Sequence, residues 1–510
     1  SILRPWRLRC DPIFVFLARL VVLWLELSVS PIKPLTNYIQ YQRDTNHWLM
    51  VYSENLTEVE SIQSSEASNA MVTRKLKWSE IEKHTSVTDR WIVIENKVYD
   101  ITKFQNRHPG GRKILGHFAG QDATEAFLAF HKKSSDVKKY LKPLYVGDLD
   151  PEVNDPEKTN EMKKRAAFVE DFENLRQKMH EAGFFKTSGI FFTGMLAHMF
   201  MFEVLAYLNI RYFGCGWISV MISILLYTIA QSQASWLQHD FGHLSVFRTT
   251  WWNHFFHEIT MGLTKGSSCH WWNYMHSQHH AKPNIIDKDP DVRLEPVFVV
   301  GETLPVRAAS GESKWSRHMP YEYQDKYFYL IGPPLLFPVY FQYTSLRHVI
   351  IRKCWEDLAW ISAFYVKIFL LYYPLFGFWG TVGYFFIVRV CESHWFTWVS
   401  QSNHLPMEIS CDRAEAWLPM QLRATCNVQH TLFNDWFTGH LNFQVEHHLF
   451  PTMPRHNLIK AQPYVKKLCE RHDIPYPVKP ITVAFRDIVR SLKKAAELWK
   501  KASHTTNKTD

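Results

Sequence analysis

The chain has 510 residues, enough for two or three domains, and carries 58 basic against 49 acidic side chains for a formal net charge of +9. Hydrophobic residues make up 46 % of it, yet its mean hydropathy is slightly negative, which excludes a protein that is apolar throughout and indicates a few membrane spans between water-facing parts. The 8 cysteines form no CxxC pair, which excludes a disulfide framework and indicates a reducing compartment.

Residues 1–75 differ from the rest of the chain. An apolar run from Ile13 to Val29 is interrupted by Arg19 and Glu26, and a polar stretch rich in Ser, Asn and Glu follows. The run is compatible with a signal anchor or with a non-native extension. We assign no function to this extension.

Residues 76–150 have the pattern of a small α+β domain, with a strand-like WIVIENKVYDI followed by an HPGG turn that His108 opens. The two glycines allow a tight turn, and His131 follows a short helical stretch. This region resembles cytochrome b5, which implies that His108 and His131 bind haem b from its two sides. A haem with two imidazole ligands has no open position and therefore only transfers electrons. The alternative is two surface histidines beside a turn.

Residues 151–188 begin as a Lys/Glu-rich connector and continue into DFENLRQKMHEAGFF, a predicted amphipathic helix at the bilayer surface. Residues 189–501 follow as a membrane domain, and 502–510 as a polar tail. About 20 apolar residues cross a hydrocarbon core of ~30 Å. Four segments meet that length or approach it: Ile190–Ile210, Trp217–Trp236, Tyr329–Tyr343, which three prolines bend, and Leu358–Val390.

Three histidine boxes flank these segments, and each has a spacing that places its members on one helical face. An even number of crossings between them would bring all three to one side of the membrane, and four spans in two hairpins satisfy this. The boxes are HDFGH with His239 and His243, HSQHH with His276, His279 and His280, and QVEHH with Gln444, His447 and His448.

Imidazole ligands suit iron, copper, zinc and nickel alike, so ligand type alone does not select the metal. Zinc cannot accept an electron, and a fused haem domain therefore favours a redox metal. His404, in SQSNH after the last span, is our first candidate to complete the ligand shell, and His440 is the second. We expect other nearby residues to be local partners or packing: His254, His257, His270, His394 and His430, Asp240 and Glu446 inside two boxes, and Trp236, Trp271 and Trp272.

The order of HPGG, HDFGH, HSQHH and QVEHH resembles the cytochrome b5-fused front-end fatty acyl desaturases over about Leu76 to Lys501. The glutamine that opens the third box is a mark of that group. The resemblance implies an N-terminal α+β b5-like domain, then an all-α membrane domain with about four transmembrane helices, haem b and two iron ions. It further implies a fatty acyl-CoA substrate, O2, electrons from NADH-cytochrome b5 reductase, and no nucleic-acid partner. The enzyme would lie in the endoplasmic reticulum membrane.

The positive-inside rule places the boxes on the cytosolic face together with the basic stretch from Arg455 to Lys501. That stretch suits anionic headgroups or a phosphate-bearing substrate, although a merely solvated basic surface is the alternative. Longer runs such as WLQHDFGHLSVF resemble the vertebrate acyl-CoA desaturases, nearest their Δ6 branch. The alternatives are Δ5, Δ8 or another regiospecificity, a b5-fused fatty acyl hydroxylase, and a catalytically weak electron-transfer or scaffold member.

Overall fold

The computed structural model describes residues 74–131, 137–150, 156–294, 297–311 and 319–506. From Arg74 onward the chain forms one compact unit. The predicted extension 1–75 lies outside the described residues except for its last two, as do parts of the connector and of the polar tail.

A five-stranded sheet organises the first part of this unit, in the order β1 (Lys75–Leu76), β5 (Tyr145–Leu149), β4 (Lys97–Asp100), β3 (Asp89–Ile94) and β2 (Thr85–Ser86). A hairpin joins β3 to β4 through Glu95 and Asn96, both with positive φ, the backbone that tight two-residue hairpin turns require. The α+β prediction is confirmed. The elements are β1 (Lys75–Leu76), α1 (Trp78–Ile81), β2 (Thr85–Ser86), β3 (Asp89–Ile94), β4 (Lys97–Asp100), α2 (Arg112–His117), α3 (Thr124–Phe130) and β5 (Tyr145–Leu149).

The remainder is helical apart from one two-stranded parallel ladder, β6 with β7. Its elements are α4 (Pro156–Glu181), α5 (Gly189–Phe213), α6 (Trp217–Gly242), α7 (Thr250–His257), a π-helix (Glu258–Leu263), α8 (Cys269–Ala281), α9 (Thr303–Ala309), α10 (Gln324–Leu335), a second π-helix (Leu336–Phe341), α11 (Gln342–Arg352), α12 (Trp355–Ser402), α13 (Trp417–Ala424), β6 (Asn427–Val428), α14 (Leu432–Thr438), α15 (Gln444–Leu449), α16 (Leu458–Arg471), β7 (Val478–Lys479) and α17 (Ile481–Thr506).

The amphipathic helix predicted at the bilayer surface is the second half of α4, and that placement is wrong. Its apolar residues Phe172 and Met179 are buried in the protein core, where the Phe172 ring stacks on Phe450 at 5.3 Å. Burying a Phe side chain stabilises by about 1.5–3 kcal/mol. The helix therefore faces protein rather than lipid along this stripe.

Three helices of the described residues are long and apolar enough to cross a membrane: α5, α6 and α12. A straight helix of the 48 residues of α12 would extend ~72 Å, more than twice the hydrocarbon core. It is not straight, because Gly377 adopts φ 67° and ψ −176° in its middle. The rings of Phe364 and Phe385, 21 positions apart, lie 5.4 Å from each other, so the two arms fold back as a hairpin.

With the two arms of α12 counted separately, the described residues offer four candidate spans, but the third predicted segment is not one of them. Residues 329–343 form the end of α10, the second π-helix and the start of α11, interrupted by prolines that lack a backbone N–H. The candidates for the third and fourth crossings are instead the two arms of α12, 355–376 and 378–402. Both arms exceed the length that a span needs.

Candidate metal centre and haem site

The histidine boxes meet at the ends of the spans. His239 lies in the last turn of α6 and His243 directly follows it, while box two runs along α8 and box three along α15. The start of α8 is fixed by Ser268, whose side chain accepts the N–H of Trp271 and itself donates to the buried carboxylate of Asp357. Because Asp357 belongs to α12, this hydrogen bond fixes the start of α8, the helix of box two, against α12.

Five of these histidines form one group whose ligand nitrogens all lie within 4.8 Å of one another: His239, His243, His276, His280 and His447. The Nε2 atom of His276 is 2.9 Å from that of His243 and 3.1 Å from that of His239. Neutral imidazoles at such distances converge on a common point, as metal ligands do.

A second group consists of His279, His404 and His448, all buried. The side-chain amide of Gln444 lies 2.7 Å from Nε2 of His404. Two buried polar atoms here, Oε1 of Gln444 and Nε2 of His448, have no hydrogen-bond partner among the described residues. Buried atoms of that kind cost free energy unless a ligand satisfies them, so this group also fits a metal ion.

The outer nitrogens of the second group are held from behind. Nδ1 of His279 lies 2.9 Å from the Asp289 carboxylate, Nδ1 of His448 lies 2.8 Å from Oε1 of Gln421, and the backbone carbonyl of Ala424 accepts from His404 at 3.0 Å. Such partners fix the tautomer and direct Nε2 to the metal side.

We expected Asp240 and Glu446 to be these orienting groups, and neither contacts a box imidazole. Asp240 lies 3.2 Å from Nε of Arg455, and Glu446 accepts hydrogen bonds from Asn427 and Tyr476. Burial raises the pKa of Glu446 to about 7. Both carboxylates therefore bind other side chains instead of orienting the imidazoles of their boxes.

Burial lowers the pKa of most of these imidazoles, far below the ordinary value for His280, His447 and His448 and to about 3 for His404. These histidines are therefore neutral, as metal binding requires. His279 differs: burial alone would lower its pKa, but the carboxylates of Asp289 and Asp291 outweigh burial and raise it to about 9.

Of the histidines outside the boxes, His404 lies in the second group, with His279 and His448. His440 lies in neither group. His440 has φ 66° and its ring contacts Phe191 at 5.6 Å. His257 lies 2.9 Å from Gln238, and His270 pairs with Asp357 at 2.6 Å, which confirms local partners for both. His430 pairs with Asp435, and Trp236 is buried against Phe396, as expected for packing.

The rings of His108 and His131 face the same space, with centroids 6.3 Å apart. An iron with one imidazole on each side needs about this separation, two bonds of ~2 Å plus ~1 Å within each ring. The backbone carbonyl of Phe127 lies 2.8 Å from Nδ1 of His131, which leaves Nε2 for iron. A Cβ at Gly110 would lie 3.0 Å from the His108 ring, so a larger residue there would press on that ring.

The α+β part packs directly on the second histidine box. The Phe130 ring, next to His131 in sequence, lies 6.5 Å from the His280 ring and 6.3 Å from Trp417. Trp417 in turn donates to the backbone carbonyl of His280 at 3.2 Å. The fully buried Lys282, two residues after box two, donates to Gln121 at 2.8 Å and to Asp412 at 3.1 Å.

Sequence reasoning missed these contacts because nothing in the sequence pairs Phe130 with Trp417, or Gln421 with His448. Asp289 alone carried a signal, since it lies ten residues after His279 in an Asp-rich turn.

Comparisons with known proteins agree with this arrangement. Residues 216–480 match the family model described as Fatty acid desaturase, and residues 77–150 match the model described as Cytochrome b5-like Heme/Steroid binding domain. Among solved structures, the cytochrome b5 of Ostreococcus tauri virus 2 is 45% identical over 15% of this chain and 95% of that chain, with a TM-score of 0.14.

Proposed function

Because the chain belongs to the fatty acid desaturase family, we propose that it is a front-end fatty acyl-CoA desaturase that inserts a cis double bond using electrons from its own b5 domain. The haem and iron cofactors of the two matched families fit the histidines described above. The observation that carries the proposal is the direct packing of Phe130, beside a haem-site histidine, on His280 of the metal centre.

We assign one iron to the five-histidine group and the second to the group of His279, His404 and His448 with Gln444. When bound, the two irons supply the O2-derived oxidant that removes hydrogen from an unactivated methylene, which no acid–base side chain can do. Burial keeps His280, His404, His447 and His448 neutral, and Asp289, Gln421 and the Ala424 carbonyl hold the orientations of His279, His448 and His404.

We assign haem b to His108 and His131, with NADH-cytochrome b5 reductase as its electron donor. The aromatic contact of Phe130 with His280 and Trp417 brings the haem site within one side chain of a metal ligand. A domain packed in this way does not have to diffuse to deliver each electron. Replacing Phe130 with leucine keeps an apolar side chain and removes the ring, so we expect haem reduced by dithionite to be reoxidised more slowly while its absorbance spectrum stays intact.

The finer assignments are Δ6 regiospecificity, acyl-CoA as the carrier and the endoplasmic reticulum membrane with the boxes on the cytosolic side. They are supported by the runs that resemble the vertebrate acyl-CoA desaturases and by the basic residues between Arg455 and Lys501. Δ5 and Δ8 are the competing positions.

The test is expression in a host without polyunsaturated products, fed single fatty acids and read by mass spectrometry for double-bond position. Loss of two hydrogens on the carboxyl side of an existing double bond is the expected result. Gain of one oxygen would identify a hydroxylase instead, and an inactive protein with full iron and haem content would identify an electron-transfer or scaffold member. A His504→Ala variant, at an exposed position in α17, controls for histidine substitution.

A further inference from the structure

Three ionisable side chains are buried together among the membrane-spanning helices, apart from the histidine groups. Lys265 and Arg389 both bond to the carboxylate of Glu392, Arg389 at 2.5 Å. Their side chains are at most 3% exposed. Two basic side chains share one carboxylate, and burial lowers the pKa of Lys265 well below its ordinary value, so the Arg389 guanidinium is the group of the cluster that stays positively charged.

A cavity of about 240 Å³ borders this cluster. Its walls are mostly apolar and come from both arms of α12, with Pro338 and Gln342 on the opposite side. Arg389 and Gln342 are the strongest hydrogen-bond donors of its lining. The cavity therefore combines a hydrocarbon-like wall with one polar end.

Each of these two donors has a nitrogen without a hydrogen-bond acceptor in the described part of the chain. Nε of Arg389 and Nε2 of Gln342 are buried and have no hydrogen-bond partner among the described residues. The Tyr365 hydroxyl donates to Oε1 of Gln342 at 2.8 Å, which fixes the amide and leaves its NH2 group as the end without an acceptor. An unsatisfied buried donor costs about 1–3 kcal/mol, so two beside one cavity indicate a ligand that accepts hydrogen bonds.

We propose that this cavity binds the carboxylate of an unesterified long-chain fatty acid that enters from the bilayer. A carboxylate pairs with the Arg389 guanidinium and has two oxygens for the two donors. The methyl end of an acyl chain would leave both donors unsatisfied. The site is therefore a binding site of its own, separate from desaturation at the histidine groups.

Part of the cavity lining lies on the exposed outer surface of α12. Val382 and Phe386, which line it, are 39% and 47% exposed on the outside of the helical hairpin. A pocket that encloses a drug-sized ligand measures about 300–1,000 Å³, so this cavity holds the head and first carbons. The remaining chain lies along the apolar outer surface of α12, parallel to the surrounding lipid tails.

The test is equilibrium binding of tritiated palmitate to the purified full-length protein in nanodiscs of neutral phospholipid. We expect saturable binding, at least tenfold weaker for hexadecanol, which has the same chain but no charge. Arg389→Gln should weaken palmitate binding by about tenfold or more, and Gln342→Leu, which leaves the ion cluster intact, by about three- to tenfold. Arg347→Gln makes the same chemical change at an exposed position on α11 and should bind as the parent does.

Labelling with a diazirine-bearing palmitate locates the bound chain, and we expect the labelled peptide to contain Val382 or Phe386. Equal binding of palmitate and hexadecanol would overturn the proposal, as would parental affinity in Gln342→Leu. Displacement of palmitate by lysophosphatidate at lower concentration would assign the cavity to a phosphate headgroup and overturn it as well.

Discussion

Replacing Asp289 with asparagine tests whether the second histidine group holds a metal. The carboxylate is fully buried, lies 2.9 Å from Nδ1 of His279 and also accepts the backbone N–H of Asn284 at 2.7 Å. Asparagine keeps the volume and one acceptor oxygen but loses the charge. Loss of an orienting partner costs 10–100-fold in metal affinity, or about 1.4–2.7 kcal/mol, and we expect the upper half because no solvent screens this pair.

The assay is chelator competition on purified protein, with iron measured by mass spectrometry and the haem absorbance as the internal standard. One of two irons should leave the variant at a chelator concentration that the parent tolerates. Asp291→Asn is the matched control, because its carboxylate is 3.6 Å from the same nitrogen and 44% exposed, so the change should stay within about twofold. Parental iron affinity in Asp289→Asn, or an equal loss in Asp291→Asn, would refute the reasoning.

Three further outcomes follow from the same geometry. His276→Ala removes the imidazole that lies within 3.1 Å of three others, so desaturation and iron should be lost with the haem spectrum intact, and unchanged turnover would exclude box two from the metal shell. His108→Ala should lose haem and keep iron, with residual activity where free cytochrome b5 is present; a preserved bis-imidazole spectrum would contradict the ligand assignment. Burial lowers the pKa of His117 to about 3 from an ordinary 6.5, so the unfolded chain takes up the proton first and stability falls as pH drops from 6.5 to 3. His117→Gln should flatten that dependence in thermal melts, and an unchanged slope would show that other groups cause it.

Local spacing predicted the boxes because the members of each box are neighbours in sequence, whereas the pair His108 and His131 was predicted from the resemblance to cytochrome b5. His239 and His243 share a helical face whatever surrounds them, and Gly111 of the HPGG turn has φ 88°, a backbone that favours glycine. The division of the boxes into two groups was not predictable, since His279 and His280 are adjacent in sequence yet contribute to different groups. That division depends on how α8, α12 and α15 pack.

The span assignment failed at one point for a physical reason. Residues 329–343 are as apolar as a span, but their prolines break the helical hydrogen bonding, and the chain forms two short helices joined by a π-helix. The sequence did not predict that the long segment after them reverses direction at Gly377. One glycine in an apolar run is a weak signal, and the ring contacts between the two arms are visible only in the structure. Hydropathy therefore predicted four candidate spans, but it placed the third on residues that do not form one long helix.

Lys282 connects the metal centre to the position of the b5 domain. It follows box two by two residues and is completely buried, with Gln121 of the b5 domain and Asp412 as its partners. A buried ammonium is costly without partners, and undocking the b5 domain would remove Gln121 and admit water at the end of the helix that carries His279 and His280. If docking stabilises the geometry of box two, then metal bound to box two must favour docking by the same free energy, because coupling between two sites is reciprocal. Iron binding to box two and the packing of Phe130 on His280 would then each favour the other.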